Sequence, residues 1–402
     1  MIVHRLFLLV WLVELVLLPA LVVLDLGFSR GLNSNYYARF FYIFIFVLAV
    51  FYHLATNKKI IFTTLSVAFG AVLVVGSSKG LVEGHINSAF LSHIFYVLMP
   101  IIMISYGWHF FAAYQESDRL RKQFKEVMIY AYCAGLVAVG IFMLAYLSGM
   151  SAYNAIGIWN FSFAGPFLAF QARGLVYFGI SVIGVLLAAK RGIIVVFVLY
   201  ILLMFFLLKA KSKLKFLLFI PLLLVVFVFF SSSLGYDITS RPQKTIELIS
   251  EGDIDAASAG RWTEAASAIE HLSARADHLL FGAGFGAKFL PWPDKPGYDD
   301  YYSHYTHFGV ISYIWIGGVI FPVIVYGSLF SLAMRLLIKT KRVIIKRDHY
   351  FFLFWLWGIL AVSMLGAVLM NNSWLWFIIG CCSRLNKVST YCPLNRELAP
   401  RI

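Results

Sequence analysis

Charge is what this chain of 402 residues has least of. Only 13% of it is Asp, Glu, Lys or Arg, against 61% hydrophobic residues, and the mean hydropathy is +0.84. A soluble fold of this length needs a mixed, charged surface that such a composition cannot supply. Regular alternation of apolar and polar residues is also missing, which argues against an outer-membrane barrel. Cysteine is scarce: Cys133, Cys381, Cys382 and Cys392 are the four present, none in the long polar segment, so neither a disulfide framework nor a zinc site is suggested. What recurs instead is continuous apolar runs of about 18 residues or more, the length that spans a bilayer as a helix. The basic start (His4, Arg5) leads into a run that is long, contains Glu14 and lacks a small-residue cleavage site, so it reads as a first membrane helix rather than a cleaved signal.

The expected fold class is all-α: a polytopic integral membrane protein of about 12 transmembrane helices with one long periplasmic loop between helices 9 and 10. Helices are expected at roughly 6–24, 39–55, 60–76, 90–108, 127–147, 155–171, 174–189, 192–208, 214–233, 306–338, 350–369 and 371–383. The segments 155–171 and 371–383 carry the weakest signal, one for its Asn160 and Pro166, the other for its shortness. The net charge of +14 does not point to nucleic acid, because the basic residues lie in short clusters between apolar runs, as in loops facing anionic lipid. The clusters are Lys58-Lys59, Arg119 to Lys125, Lys209 to Lys215 and Arg335 to Arg347. All four share the cytoplasmic side only if 155–171 crosses the membrane; a re-entrant 155–171, giving eleven spans, would strand a cluster outside. Twelve spans put both termini in the cytoplasm and divide the chain into a membrane region 1–233, an outer loop 234–305 and a second membrane region 306–402.

The outer loop carries more than half of the 19 acidic residues, so any anion site in it must be local. Pro242 to Ile249 is compatible with a short helix, and Glu251 to Gly260 with a surface turn. Arg261 to Ala274 sets Trp262, Ala265, Ala266, Ile269 and Leu272 at helical spacing and predicts an amphipathic helix. Leu279 to Gly286 is a tight glycine-rich turn; it lacks the Lys-Ser/Thr of a phosphate loop and is read as structural. Leu290 to Tyr302, rich in proline and aromatics, reads as a lid or rim.

Three residues lead as candidates for chemistry. Arg191, beside Lys190 in a very short turn on the outer face, runs against the charge rule for that side and suits an anionic substrate; the competing reading is that the pair snorkels to lipid headgroups. Arg261 opens the amphipathic helix, where the macrodipole disfavours a cation, unless it reaches outward to an anion; otherwise it is an exposed loop arginine. His307 leads the 306–338 helix at the membrane boundary and is placed to act as a general base, or simply to hydrogen-bond at the interface. His304, three residues earlier, is the alternative histidine; no carboxylate at ligand spacing supports a metal there. Glu14 is an isolated intramembrane acid and gives little support to a proton-coupled transporter.

Together these pieces resemble the bacterial O-antigen ligase/polymerase superfamily. Lys190-Arg191-Gly192 is similar to the family's Ser-Arg-Gly, with Lys for Ser. An Arg-Trp helix (Arg261, Trp262) follows in the loop, then the turn Phe281-Gly-Ala-Gly-Phe-Gly286. The family's ligase motif is a His, a small polar residue, nine residues and a Gly; His307 and Gly318 stand at that distance, with Phe308 in place of the polar residue. The resemblance covers roughly 174–335. It implies a metal-independent, cofactor-free glycosyltransferase of the bacterial inner membrane, using a glycan on undecaprenyl diphosphate. His307 would deprotonate the acceptor hydroxyl, Arg191 and Arg261 would stabilise the diphosphate leaving group, and Lys190, His304, Trp262 and Tyr301 would contact substrate. The acceptor would be another lipid-linked repeat unit in a polymerase, with a chain-length-determining copolymerase as partner, or lipid A-core in a ligase. A lipid-linked glycan transporter is a further alternative, disfavoured by the absence of internal repeat symmetry. A cell-wall polymerase of the shape-determining type, using an acid such as Asp253, Asp255 or Glu264, is another.

Overall fold

Capping residues, rather than hydropathy, set where two of the long helices begin. The structure, a computed structural model, describes residues 2–28, 34–147, 174–187, 191–207, 240–258, 260–293, 302–342, 347–365 and 372–388, with isolated positions 164, 165, 168, 221 and 225. Thr63 caps α3 (Thr64–Val82) by accepting from the Ser66 amide at 3.2 Å. The helix therefore begins and ends later than the apolar run 60–76 suggested. Asn87 caps α4 (Ser88–Glu116), its Oδ1 accepting from the amides of Ala89 at 2.9 Å and Phe90 at 3.1 Å. Before them come α1 (Ile2–Phe28) and α2 (Ser34–Thr56), and after them α5 (Asp118–Leu147), α6 (Gly174–Leu187) and α7 (Arg191–Leu207).

The long polar segment, expected as the outer loop, folds as α8 (Ser240–Ser250), α9 (Ile254–Ser258), α10 (Arg261–Ser273) and α11 (Ala276–Phe281). The chain then runs through α12 (Gly309–Gly317), α13 (Ile320–Arg342), α14 (Arg347–Leu365) and α15 (Ser373–Val388). Among the described residues the only β pairing is one isolated antiparallel bridge, Phe289 to Ser303. Four described helices are long and apolar enough to cross a membrane: Thr64–Val82, Ser88–Glu116, Asp118–Ile141 and Ile320–Thr340. Their outward faces keep large apolar side chains such as Val67, Val74, Val323 and Phe330 exposed, as contact with lipid tails requires. The all-α class holds, and the protein is an integral membrane protein. The expected spans 155–171 and 214–233 lie almost wholly outside the described residues.

Two expectations about the C-terminal helices are corrected. The single helix 306–338 is broken into α12 and α13. Gly318 has φ of +76°, and a Cβ there would stand 1.9 Å from the Leu280 carbonyl oxygen. Only glycine tolerates both conditions. The break is fastened to α11, with the Val319 amide donating to Leu279 O at 3.0 Å and Ala283 to Trp315 O at 2.9 Å. The second correction is 371–383, the weak short helix. As α15 it has 16 residues and lies at the centre of the core. It packs on α4 at glycines: a Cβ on Gly107 would sit 2.0 Å from Phe377 O, and one on Gly380 2.1 Å from Ile104 O. Such backbone approach is how membrane helices gain contact without a hydrophobic drive. Trp374 stacks on Trp11 of α1 at 4.3 Å between ring centroids, and its indole N–H donates to the buried Glu14 carboxylate.

Three of the four basic clusters meet at one end of the bundle. His109 near the end of α4 bonds to Lys59 O, Arg121 follows α4 directly, and Lys339 of α13 donates to Asn386 O of α15. Arg384 and Lys387 of α15 lie over Trp108 of α4. The fourth cluster, 209–215, lies outside the described residues. The opposite end holds the α3–α4 turn and the folded outer loop.

Candidate functional site

The glycine-rich turn after α11 is the keystone of that opposite end. Phe285 is fully buried and lies against Gly76 and Gly80 of α3; a Cβ on Gly76 would stand 2.3 Å from the Phe285 ring. Backbone and side-chain bonds complete the dock: Phe285 N–H to Gly76 O at 2.9 Å, Asn87 Nδ2 to Gly286 O at 2.9 Å and Lys79 Nζ to Gly282 O at 2.8 Å. The turn is structural, as its sequence suggested.

His93 of α4 carries this order onward. Its Nδ1 accepts from the Gly286 amide at 3.1 Å, and its Nε2 lies 2.9 Å from His304 O. An amide can only donate and a carbonyl only accept, so the proton is on Nε2 and the ring is neutral. The side chain is fully buried, and it fixes the start of the segment that presents His307. Beyond His304, Thr306 is fully buried. Its amide donates to Ser312 Oγ at 3.0 Å, its hydroxyl to Phe308 O at 2.8 Å, and Ser312 Oγ donates back to Thr306 O at 2.7 Å. This knot turns His307 out of the protein.

The partner of His307 comes from α10. Gly260, with φ of +78°, opens that helix without a capping side chain of its own; α9 supplies the caps. The Thr263 amide donates to Asp255 Oδ1 at 2.9 Å and the Trp262 amide to Ser258 Oγ at 3.1 Å. Trp292 Nε1 holds Gly260 O at 3.0 Å, and Ser267 Oγ holds Leu290 O at 2.6 Å. One turn into α10 stands Glu264, its side chain 2% exposed, with Oε2 2.8 Å from His307 Nδ1. The same oxygen accepts the His307 backbone amide at 3.1 Å.

A buried carboxylate thus grips both the ring and the backbone of one histidine. With the carboxylate accepting from Nδ1–H, the lone pair falls on Nε2, and the His307 side chain is 53% exposed. This is the arrangement of a general base with an orienting acid behind it. Arg261 lies one turn before Glu264, on the same face of α10 by helical spacing. It is exposed, and its guanidinium has no ion-pair partner among the described residues. The helix that supplies Glu264 thus also carries an exposed cation at its first residue.

The other expected residues fare differently. His304 packs in an aromatic group with His93, Tyr96 and Tyr305; of the two histidines, His307 is the one that Glu264 holds. Trp262 is 56% exposed beside Arg261, not part of the buried face. That face consists of Glu264, Ala265, Ala268 and Leu272, rotated from the apolar set the sequence suggested because it must deliver an acid inward. Arg191 opens α7, but its side chain, like Lys190 and Tyr301, lies outside the described residues. The sequence reading missed Glu264 as the partner of His307 and missed His93 altogether. A lone acid one turn after Arg-Trp was the available signal for Glu264; for His93 there was none.

The class these features define is an integral membrane protein with a loop-borne His–Glu pair beside a broken helix. Residues 176–326, the stretch that holds α10, the glycine turn and His307, match the family model described as O-antigen ligase. That match supports the O-antigen ligase/polymerase superfamily. No curated protein and no solved structure matches the chain. Phe308, where the family's ligase motif carries a small polar residue, is the N-cap of α12 and makes no side-chain cap. A polar residue there would cap the helix; in this chain the Thr306 and Ser312 hydroxyls brace the turn instead.

Proposed function

We propose that this protein polymerises lipid-diphosphate-linked oligosaccharide repeat units into a surface polysaccharide at the outer face of the bacterial inner membrane. The observation that carries the reading is the Glu264–His307 pair, with Nε2 of the histidine turned outward, inside the family-matched segment. In the reaction, Nε2 takes the proton from the acceptor hydroxyl, and the buried Glu264 carboxylate stabilises the imidazolium that forms. The acceptor oxygen bonds to the anomeric carbon as that carbon's bond to the lipid diphosphate breaks. The electron pair leaves on the diphosphate oxygen, where Arg261, together with Arg191 by family resemblance, offsets the charge. The donor would be undecaprenyl-diphosphate-linked glycan, and a chain-length-determining copolymerase is the expected partner. None of these steps calls on a bound metal.

Ligation to lipid A-core is the second reading, and the family description favours it. The departure at Phe308 from the ligase pattern favours polymerisation. Deleting the gene separates them on a gel of surface glycan. Core bearing a single repeat unit, with the ladder lost, supports the polymerase; bare core with long lipid-linked chains accumulating supports the ligase. His307→Ala and Arg261→Ala, present in the membrane at normal level, should each abolish product in either case. Normal glycan from His307→Ala would reject the assigned base, and a transporter would become the better reading.

A further inference from the structure

A second cluster of ligand-type side chains lies at the same end of the bundle, apart from the Glu264–His307 pair. The α3–α4 turn contributes Glu83 and His85, separated by Gly84 with φ of +75°. The helix α11 contributes Asp277 and His278. His278 Nε2 is 3.4 Å from Glu83 Oε1 and 4.0 Å from Asp277 Oδ2, and His85 Nδ1 is 3.8 Å from Glu83 Oε2. Around a tetrahedral zinc with bonds of about 2.0–2.1 Å, ligand atoms stand roughly 3.3–3.4 Å apart. Glu83, Asp277 and His278 each place a ligand atom within 4.8 Å of the other two, a small side-chain adjustment from a coordination shell; His85 lies outside that group and reaches it through the far oxygen of Glu83. The His278 side chain is 7% exposed and that of Glu83 18%. His85 Nδ1 is buried with no hydrogen-bond partner, which is costly for a ring nitrogen unless something else binds it.

We propose that Glu83, His85, Asp277 and His278 form a structural site for a divalent transition metal, zinc by ligand chemistry, that clamps the outer loop to the α3–α4 turn. Two imidazoles and two carboxylates suit a borderline ion better than magnesium or calcium, which prefer all-oxygen shells. Without metal, two cations neutralise the carboxylates. Arg275 Nη2 lies 3.2 Å from Glu83 Oε1 and 2.9 Å from Asp277 Oδ2, and Lys79 Nζ lies 2.8 Å from Asp277 Oδ2. Both have another place to go. The Arg275 side chain is 54% exposed and can swing into water, while Lys79 already holds Gly282 O. Metal and Arg275 therefore compete for the same oxygens. His271, whose ring centroid is 6.0 Å from that of His278, is the next imidazole out. The clamp would hold α11, the element against which the α12–α13 break is fastened.

The test uses the full chain in detergent, stripped with a chelator and titrated with zinc by calorimetry and with cobalt(II) by visible absorption. One equivalent should bind, with cobalt giving the intense bands of a four-coordinate site. His278→Ala and Glu83→Gln should each weaken binding by more than roughly tenfold, and His307→Ala should leave it unchanged. Arg275→Ala should tighten binding, because it removes the competing cation without touching a ligand. Absence of one-equivalent binding to the intact chain overturns the proposal. So does unaltered affinity in the His278→Ala, Glu83→Gln double variant, or affinity unchanged or weakened in Arg275→Ala. The last measurement decides the matter even where a ligand variant fails to fold.

Discussion

Replacing Glu264 by Gln changes almost nothing in volume and removes the charge from the pair. The side chain is 2% exposed, so the amide must sit where the carboxylate sat. One of its two terminal atoms still has to accept the His307 backbone amide, a bond of 3.1 Å in the native protein. That role falls to an amide oxygen at the Oε2 position, the same atom that lies 2.8 Å from Nδ1, so it still accepts from Nδ1–H and the lone pair stays on Nε2. What the substitution removes is the charge. At the native 2.8 Å separation, a carboxylate and an imidazolium attract by about 6 kcal/mol at an effective dielectric of about 20. His307 is half in water, so screening leaves roughly 2–4 kcal/mol of stabilisation for the protonated intermediate. That corresponds to a fall in turnover of roughly 30- to 1,000-fold, at a membrane level close to that of the unaltered protein. The assay is elongation of a lipid-diphosphate-linked repeat unit in vesicles containing the purified protein, across a pH series. Glu264→Asp should recover part of the rate. A Gln variant within threefold of normal activity, with an unchanged pH profile, would refute the role given to the pair.

Gly318→Ala should destabilise the protein by about 1–3 kcal/mol or more, since it meets both a left-handed backbone and the Leu280 carbonyl; a thermal midpoint unmoved in detergent would contradict this. Phe285→Ala empties the contact with Gly76 and Gly80 and should cost about 3–5 kcal/mol, visible as protease sensitivity of the outer loop. His93→Phe removes both the bond to Gly286 and the bond to His304 O and should lower turnover more than substrate affinity, because it loosens the segment presenting His307. Equal losses in kcat and in binding would instead indicate general unfolding.

Much of the membrane part was legible because an apolar run of bilayer length has few alternatives. Hydropathy could not say where helices stop, as α3 shows: its C-terminal turns carry Ser77, Ser78 and Lys79, polar residues that stay helical because Phe285 docks against the glycines among them. Nor could hydropathy reveal the break at Gly318, since α12 and α13 are both apolar and only the backbone angle separates them. In α10 the helix was correctly bounded but its inner face was not. Ranking residues by apolarity turns Trp262 and Ile269 inward and leaves Glu264 outside, whereas a site that needs a buried acid inverts that preference. His307 stood out by its position at a helix mouth. Its partner lies 43 residues earlier, and no local pattern connects the two.

The bonds around the glycine turn also bear on how the protein is made. Lys79 and Gly282 are 203 residues apart in the chain, Asn87 and Gly286 199, and His93 and His304 211. At synthesis rates of about 5–20 residues per second, α3 and α4 wait roughly 10–40 s for their partner to leave the ribosome. During that interval the groove at Gly76 and Gly80 faces whatever else is present, lipid or the insertion machinery. The buried ring of His93 meanwhile has no protein partner at either nitrogen. The end that carries His307 is thus the last part to close, and a chain truncated before residue 285 inserts its early helices without ever completing the surface on which His307 is mounted.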